Sequence, residues 1–296
     1  MKNGVKNCYN DNMKVFLKRL TKILLWSLAV LATLIISAIL ITRLTTEPSN
    51  NRDWNEDQIV LPYAKVTNEQ VTIYNIRNFT YASTTSYTTA YYDQTFDLQK
   101  IERVWYVVEP FSGIPGSAHT FLSFEFENDQ FVAISVEIRK EKGEAYHPIK
   151  GLFNQYELSY VIADERDAIK LRSNYRKDLV YLYPAKATKE KVRQLFLSMI
   201  ERANSLKDNP EFYNTLTNTC TTNIVRHINT VTAKRVPFFN LRILFPENSD
   251  RLAYELGLID TDLSFEEARK RFSINDRARK YADAPDFSVK IRQENM

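Results

Sequence analysis

The chain has 296 residues, with 40 Lys and Arg against 36 Asp and Glu. Only 6 are glycine, and no G-x-G-x-x-G or G-x-x-x-x-G-K-[ST] run occurs, so the phosphate cradles of nucleotide chemistry are missing in recognisable form. His119, His147, His227 and Cys220 are dispersed, without C-x-x-C or H-E-x-x-H spacing, and neither a metal site nor any other cofactor is expected.

The basic excess is local. Lys2, Lys6, Lys14, Lys18, Arg19 and Lys22 face only Asp11 in residues 1–22, and setting these 6 bases and 1 acid aside leaves 34 against 35. That distribution is a topology signal rather than a nucleic-acid footprint, and no nucleic-acid partner is expected. Residues 23–42 follow, 20 without a charge. As a helix they cover roughly 30 Å of hydrocarbon, and they exceed the roughly 7–15-residue apolar core of a cleaved signal peptide. The reading is a single-pass anchor in a bacterial inner membrane, N-terminus cytoplasmic, with the bulk of the chain in the periplasm. Residues 43–62, holding Glu47-Pro48-Ser49-Asn50-Asn51, read as a polar tether, and residues 63–296 as one outer domain.

Strand signals dominate the first half of that domain: Val71 to Tyr74, Val104 to Val108, Phe121 to Phe126, Phe131 to Ile138, Tyr156 to Ile162 and Leu179 to Tyr183. The third and fourth are joined by Glu127-Asn128-Asp129-Gln130 as a hairpin. Val192, Leu195, Phe196, Met199, Ile200 and Ala203 then fall at helical spacing behind Thr188 as N-cap. A second helix starts near Cys220, another near Ser249, and Ser264-Phe265-Glu266-Glu267 has capping-box spacing. Strands first and helices later predict an α+β domain. The bases Arg166, Lys170, Arg172, Arg176 and Lys177, and those from Arg269 to Lys280, read as solvated helix faces.

Cys220 is the only cysteine beyond the span, since Cys8 precedes it, so no disulfide is available to it within the chain. At a helix start, unpaired N–H groups and the positive end of the macrodipole favour thiolate. A small buried hydrophobe is the plainer alternative. His119, behind the loop Gly113-Ile114-Pro115-Gly116-Ser117-Ala118, opens a strand. With a turn over Asn128-Asp129 it shares the apolar face of Val132, Ile134 and Val136, where a thiol is a suitable partner. In that register Glu137, a candidate orienting group, points the other way, in an outward polar row with Ser135 and Arg139. His227 lies about 10 Å along the helix from Cys220, too far for direct proton transfer, and His147 sits in a loop.

The runs Ile76-Arg77-Asn78-Phe79, Tyr91-Tyr92-Asp93, Pro110-Phe111, Ser117-Ala118-His119-Thr120-Phe121-Leu122-Ser123-Phe124, Glu137-Ile138-Arg139 with Gly143-Glu144, and Asn218-Thr219-Cys220-Thr221-Thr222-Asn223 resemble the Lnb N-terminal periplasmic domain family. The resemblance implies a lipoprotein N-acyltransferase-like protein with Cys220 as nucleophile and His119 as base, a phospholipid as acyl donor and a lipoprotein amino terminus as acceptor. The order of histidine strand and cysteine helix also resembles permuted NlpC/papain-like domains. The expected chemistry is a membrane-anchored thiol acyltransferase working through a Cys220 thioester, with Val236 to Phe245 either lining an acyl channel or packing as ordinary core. A cysteine amidase or peptidase acting on envelope peptides, and a non-enzymatic anchored module, are the alternatives.

Overall fold

The computed structural model describes residues 2–233 and 235–293, without the side chains of residues 2–12, Cys8 among them, or of Arg43. Helix α1 (Lys2–Thr45) is continuous. Its stretch Met13–Thr42 is long and apolar enough to cross a membrane, with a mean hydropathy of 2.6 over its apolar 18-residue window and no buried residue. That exceeds the 20 uncharged residues because Val15, Phe16, Leu17 and Leu20 extend the apolar surface between the flanking bases.

The segment that follows lies against the domain. The Ser49 amide donates to Glu157 Oε1 at 3.1 Å, Arg52 Nε pairs with the same carboxylate at 2.7 Å, and Trp54 is buried beneath the Arg139 guanidinium, 4.2 Å from its ring centre. Gln58 is buried too, donating to the Ile138 carbonyl.

The domain is built on one sheet. Its strands are β1 (Tyr63–Thr67), β2 (Gln70–Arg77), β5 (Tyr91–Asp97), β6 (Ile101–Pro110), β7 (Ala118–Phe126), β8 (Gln130–Arg139), β9 (Glu157–Ala163) and β10 (Tyr181–Pro184), while β3 (Thr80–Tyr81) and β4 (Tyr87–Thr88) form a small separate ribbon. The order is β1-β2-β9-β8-β7-β6-β10, with β5 on β2, antiparallel except for one parallel contact between β2 and β9.

Helices cover both faces. On one side α3 (Lys189–Asp208) and α4 (Cys220–Val231) place Phe196, Met199, Ile200 and Ile224 over Ile73, Phe96, Leu122, Phe124, Ile134 and Val136. On the other, α2 (Glu165–Lys170), the π-helical run Leu171–Arg176, α8 (Asn275–Lys280) and α9 (Phe287–Lys290) cover Val107, Phe121, Ala133 and Val161. Double coverage explains runs such as Phe121-Leu122-Ser123-Phe124, in which consecutive residues are buried on opposite faces. The remaining helices, α5 (Leu241–Leu244), α6 (Ser249–Glu255) and α7 (Phe265–Arg271), cluster beyond α4 and β10. The domain is therefore α+β.

One expectation reverses. Strands β7 and β8 pair with Phe126 opposite Gln130 and Phe121 opposite Ser135, leaving Glu127, Asn128 and Asp129 in the loop, the last two at φ 60° and 56°. The turn residues are those expected, but three residues rather than an even number separate the strands, so the register shifts by one. A one-residue shift sends every side chain to the other face. His119 thus lies with Phe121, Ser135 and Glu137, not with Val132, Ile134 and Val136. The row Ser135, Glu137, Arg139 is not an outward surface either, because a helical layer and the segment after α1 cover it.

Candidate functional site

The sheet separates the candidate residues into two groups. Cys220 is the first residue of α4, where Thr219 is the N-cap: its hydroxyl accepts from the Thr222 amide at 3.2 Å and the Thr222 hydroxyl accepts from the Thr219 amide at 2.7 Å. This capping box serves the third turn amide and the cap itself, leaving the N–H groups of Cys220 and Thr221 open at the positive helix end. Cys220 is buried at 9% exposure, its Sγ 3.7 Å from the Thr221 hydroxyl, which in turn is 3.0 Å from the hydroxyl of Thr120 on β7.

Three phenols lie in the neighbourhood of the thiol. Tyr106, Tyr146 and Tyr213 each feel the charge of an ionised Cys220, after burial, as a force holding their protons on. Tyr106 also donates to Ser249 at 2.8 Å. Burial pushes all three above the ordinary tyrosine range, so they are neutral and do not take a proton from a thiol.

A cavity of about 400 Å³ adjoins this corner, its wall including Tyr106, Leu122, Thr221, Ile224, Val225 and Val236. Among the described residues it is walled mainly by aliphatic side chains and by no acidic residue, and the charged groups on its wall are Lys186 and Lys191. The size and lining suit a small apolar ligand.

On the opposite face His119 joins a different set. Its Nε2 lies 2.7 Å from the Ser135 hydroxyl, which donates to Glu137 Oε1 at 2.9 Å. The imidazole is therefore the donor to Ser135. Arg172 Nη2 donates to the same Glu137 oxygen at 2.9 Å, and Arg172 Nε reaches Glu109 Oε2 at 2.7 Å. Burial first, and then the Arg172 charge, push His119 down to about 3 against the pull of Glu137. The imidazole is neutral, so its 3.8 Å approach to Glu137 is not an ion pair. Burial opposes ionisation of Glu137, yet Arg172 and Arg77, with the Ser135 hydroxyl donating to it, hold it well below the ordinary carboxylate range.

The structure thus brings His119 and Glu137 together, through Ser135, and leaves Cys220 on the other side of the sheet. No imidazole or carboxylate contacts Cys220 among the described residues. His227 is occupied between the Tyr160 hydroxyl at 2.7 Å and the Ser198 hydroxyl at 2.8 Å, and burial pushes it down to about 4. His147 is exposed in its loop, with Nδ1 accepting from the Ile149 amide at 3.2 Å.

Several residues here escaped the sequence reading. Arg172 belongs to a basic cluster that reads as a solvated helix face, but the π-helical run turns it inward, where it is 2% exposed. Tyr106, Tyr146 and Tyr213 carry no local pattern that announces them. Among the described residues, no group of three or more His, Cys, Asp and Glu is placed to hold a metal ion.

No curated protein and no solved structure matches the chain. The Lnb N-terminal periplasmic domain matches residues 87–247, a span that contains Cys220, His119, Glu137 and Arg172 and exceeds half of the chain. The chain belongs to the Lnb N-terminal periplasmic domain family.

Proposed function

We propose that this is a membrane-anchored periplasmic acyltransferase in which Cys220 accepts an acyl chain from a phospholipid. The observation that carries the proposal is the apolar cavity beside the first turn of α4, where an acyl chain has room and Cys220 has open amides. The Cys220 sulfur attacks the ester carbonyl. The amides of Cys220 and Thr221, with the neutral hydroxyls around them, stabilise the negative charge on sulfur and then on the carbonyl oxygen. The C–O bond breaks, the thiol proton ends on the departing lysophospholipid hydroxyl, and a thioester remains. An amine, by the family's character that of a lipoprotein amino terminus, then attacks the thioester; an N–H proton returns to sulfur and an amide forms.

The base differs from the sequence expectation. His119 does not face Cys220, so the sulfur is served by the helix terminus rather than by a paired imidazole. The order of histidine strand and cysteine helix is that of permuted NlpC/papain-like domains, without their paired side chains. A peptidase needs a polar, open groove, and the aliphatic wall beside a buried Cys220 disfavours it.

Intact mass spectrometry of the full chain incubated with phospholipid tests the proposal. Wild type should gain a hydroxylamine-labile acyl mass that Cys220→Ser lacks. If no adduct forms with any of several donors while the fold is intact, the thioester route fails. A phospholipid retained non-covalently in that case identifies a non-enzymatic lipid-binding module.

A further inference from the structure

The segment from Val236 to Phe245 divides its side chains between two surroundings. Val236 and Ile243 are buried and line the cavity, while Phe239, Leu241 and Phe245 point outward at 81%, 70% and 57% exposure. Phe245 packs on Gly116, whose amide donates to Glu247, and the neighbouring Ile114 adds a fourth apolar side chain at 42% exposure. Two loops thus form one exposed apolar patch on the outside of the cavity wall. Such patches mark an interaction surface.

Charge and connectivity indicate what covers it. Lys186 and Lys191 on the cavity wall are exposed and have no ion pair among the described residues, and exposed Arg235 precedes Val236. The surroundings therefore suit phosphate headgroups over acyl chains. A run of contacts also leads back to the anchor. The Arg226 guanidinium lies over Phe238 at 5.4 Å and donates to the Thr217 carbonyl, next to Asn218. Asn218 donates to the Phe212 carbonyl, Phe212 bridges to Glu157, and Glu157 holds Arg52. Only three residues separate α1 from Ser49, where the chain is already docked, a reach of about 14 Å at most. The domain is therefore held close to whatever surface α1 enters.

We propose that Phe239, Leu241, Phe245 and Ile114 form a second membrane contact, resting at the headgroup and acyl boundary of a phospholipid bilayer and setting the cavity wall against it. The contact stands on its own geometry. Its use in delivering an acyl chain to Cys220 rests on the function proposed above, because a lipid whose chain enters the cavity must leave the bilayer first.

The test uses full-length protein in lipid nanodiscs, one copy per disc, with Phe239→Trp in a Trp26→Phe background compared with that background alone. The added fluorescence should be blue-shifted, and lost when the disc lipids are brominated near the headgroup end of their chains. Emission that stays red-shifted and insensitive to bromine overturns the proposal. A blue shift that appears only with two copies per disc also overturns it, in favour of contact between copies. For delivery, Phe239→Asp combined with Leu241→Asp should reduce thioester formation from bilayer phospholipid about tenfold and leave reaction with a water-soluble short-chain ester unchanged. An equal loss with both donors contradicts the delivery role. If no donor ever yields a thioester, the acyltransferase reading fails while the bromine result still decides the contact.

Discussion

The two faces of the central sheet are built by different physics. The Cys220 face has an aliphatic cavity, an open helix terminus and neutral hydroxyls. The His119 face is filled by charge: Arg172 bridges Glu109 and Glu137, and its guanidinium lies 4.9 Å from the Phe121 ring centre. Space and open helix-terminal amides give the first room for a ligand. Paired buried charge marks the second as a place that holds strands and helices in register. A buried polar network of this kind costs much when broken, because the partners left behind stay buried.

The largest effect should come from breaking the charged face. Arg172→Met leaves two buried carboxylates without their shared cation, and urea unfolding should show a loss of about 3–5 kcal/mol. The folded fraction should still form the adduct. Next is the cavity. Ala253 lies on its wall, and Ala253→Phe should abolish adduct formation from long-chain donors while short-chain esters still react, at a stability cost of about 1–3 kcal/mol. Equal loss with short and long donors would mean that the cavity does not hold the chain.

His119→Gln sharpens the comparison further, since Gln retains a donor to Ser135. His119 is pushed down from 6.5 to about 3 on folding, so acid favours the unfolded chain; its contribution is complete above about pH 6.5 and is lost as pH falls toward 3. Glu109, pushed up to about 7 by burial against Arg172 and Arg176, acts in the opposite sense, so only the difference from wild type isolates His119. Stability measured from pH 6 to 4 should fall less steeply in the variant, by about 1.4 kcal/mol per pH unit. Adduct formation at pH 7 should persist. A loss as complete as that of Cys220→Ser would break the separation of the two faces, because the imidazole would then have to act on the thiol. The smallest effect belongs to Thr219→Ala, which removes one half of the capping box and should cost about 1 kcal/mol, read as a lowered denaturant midpoint.

Local elements were readable from sequence wherever one short-range rule decided them. Thr188 does cap α3, Thr219 precedes a helix that begins at Cys220, and Ser264 with Glu267 closes a capping box. Each rests on contacts three or four residues apart. Strands β6 to β9 were likewise marked by β-branched and aromatic runs. The short ribbon of β3 and β4 was not, because it lies inside the Ser/Thr/Tyr-rich stretch from Thr80 to Tyr92, whose order depends on Phe79 and Tyr81 packing on Leu171, far away in the chain.

The candidate site shows the same division more sharply. The sequence by itself determined that Cys220 stands at a helix terminus, that the chain carries a helix able to span a membrane, and that His119 begins a strand. Tertiary structure decided which face of the sheet that histidine occupies. The physical reason is the period of two in a strand: a loop of three residues at Glu127, Asn128 and Asp129, rather than an even number, reverses every side chain beyond it. The same cause turns Glu137 from an expected surface residue into the partner of His119, and it leaves Cys220 with hydroxyls and an apolar cavity.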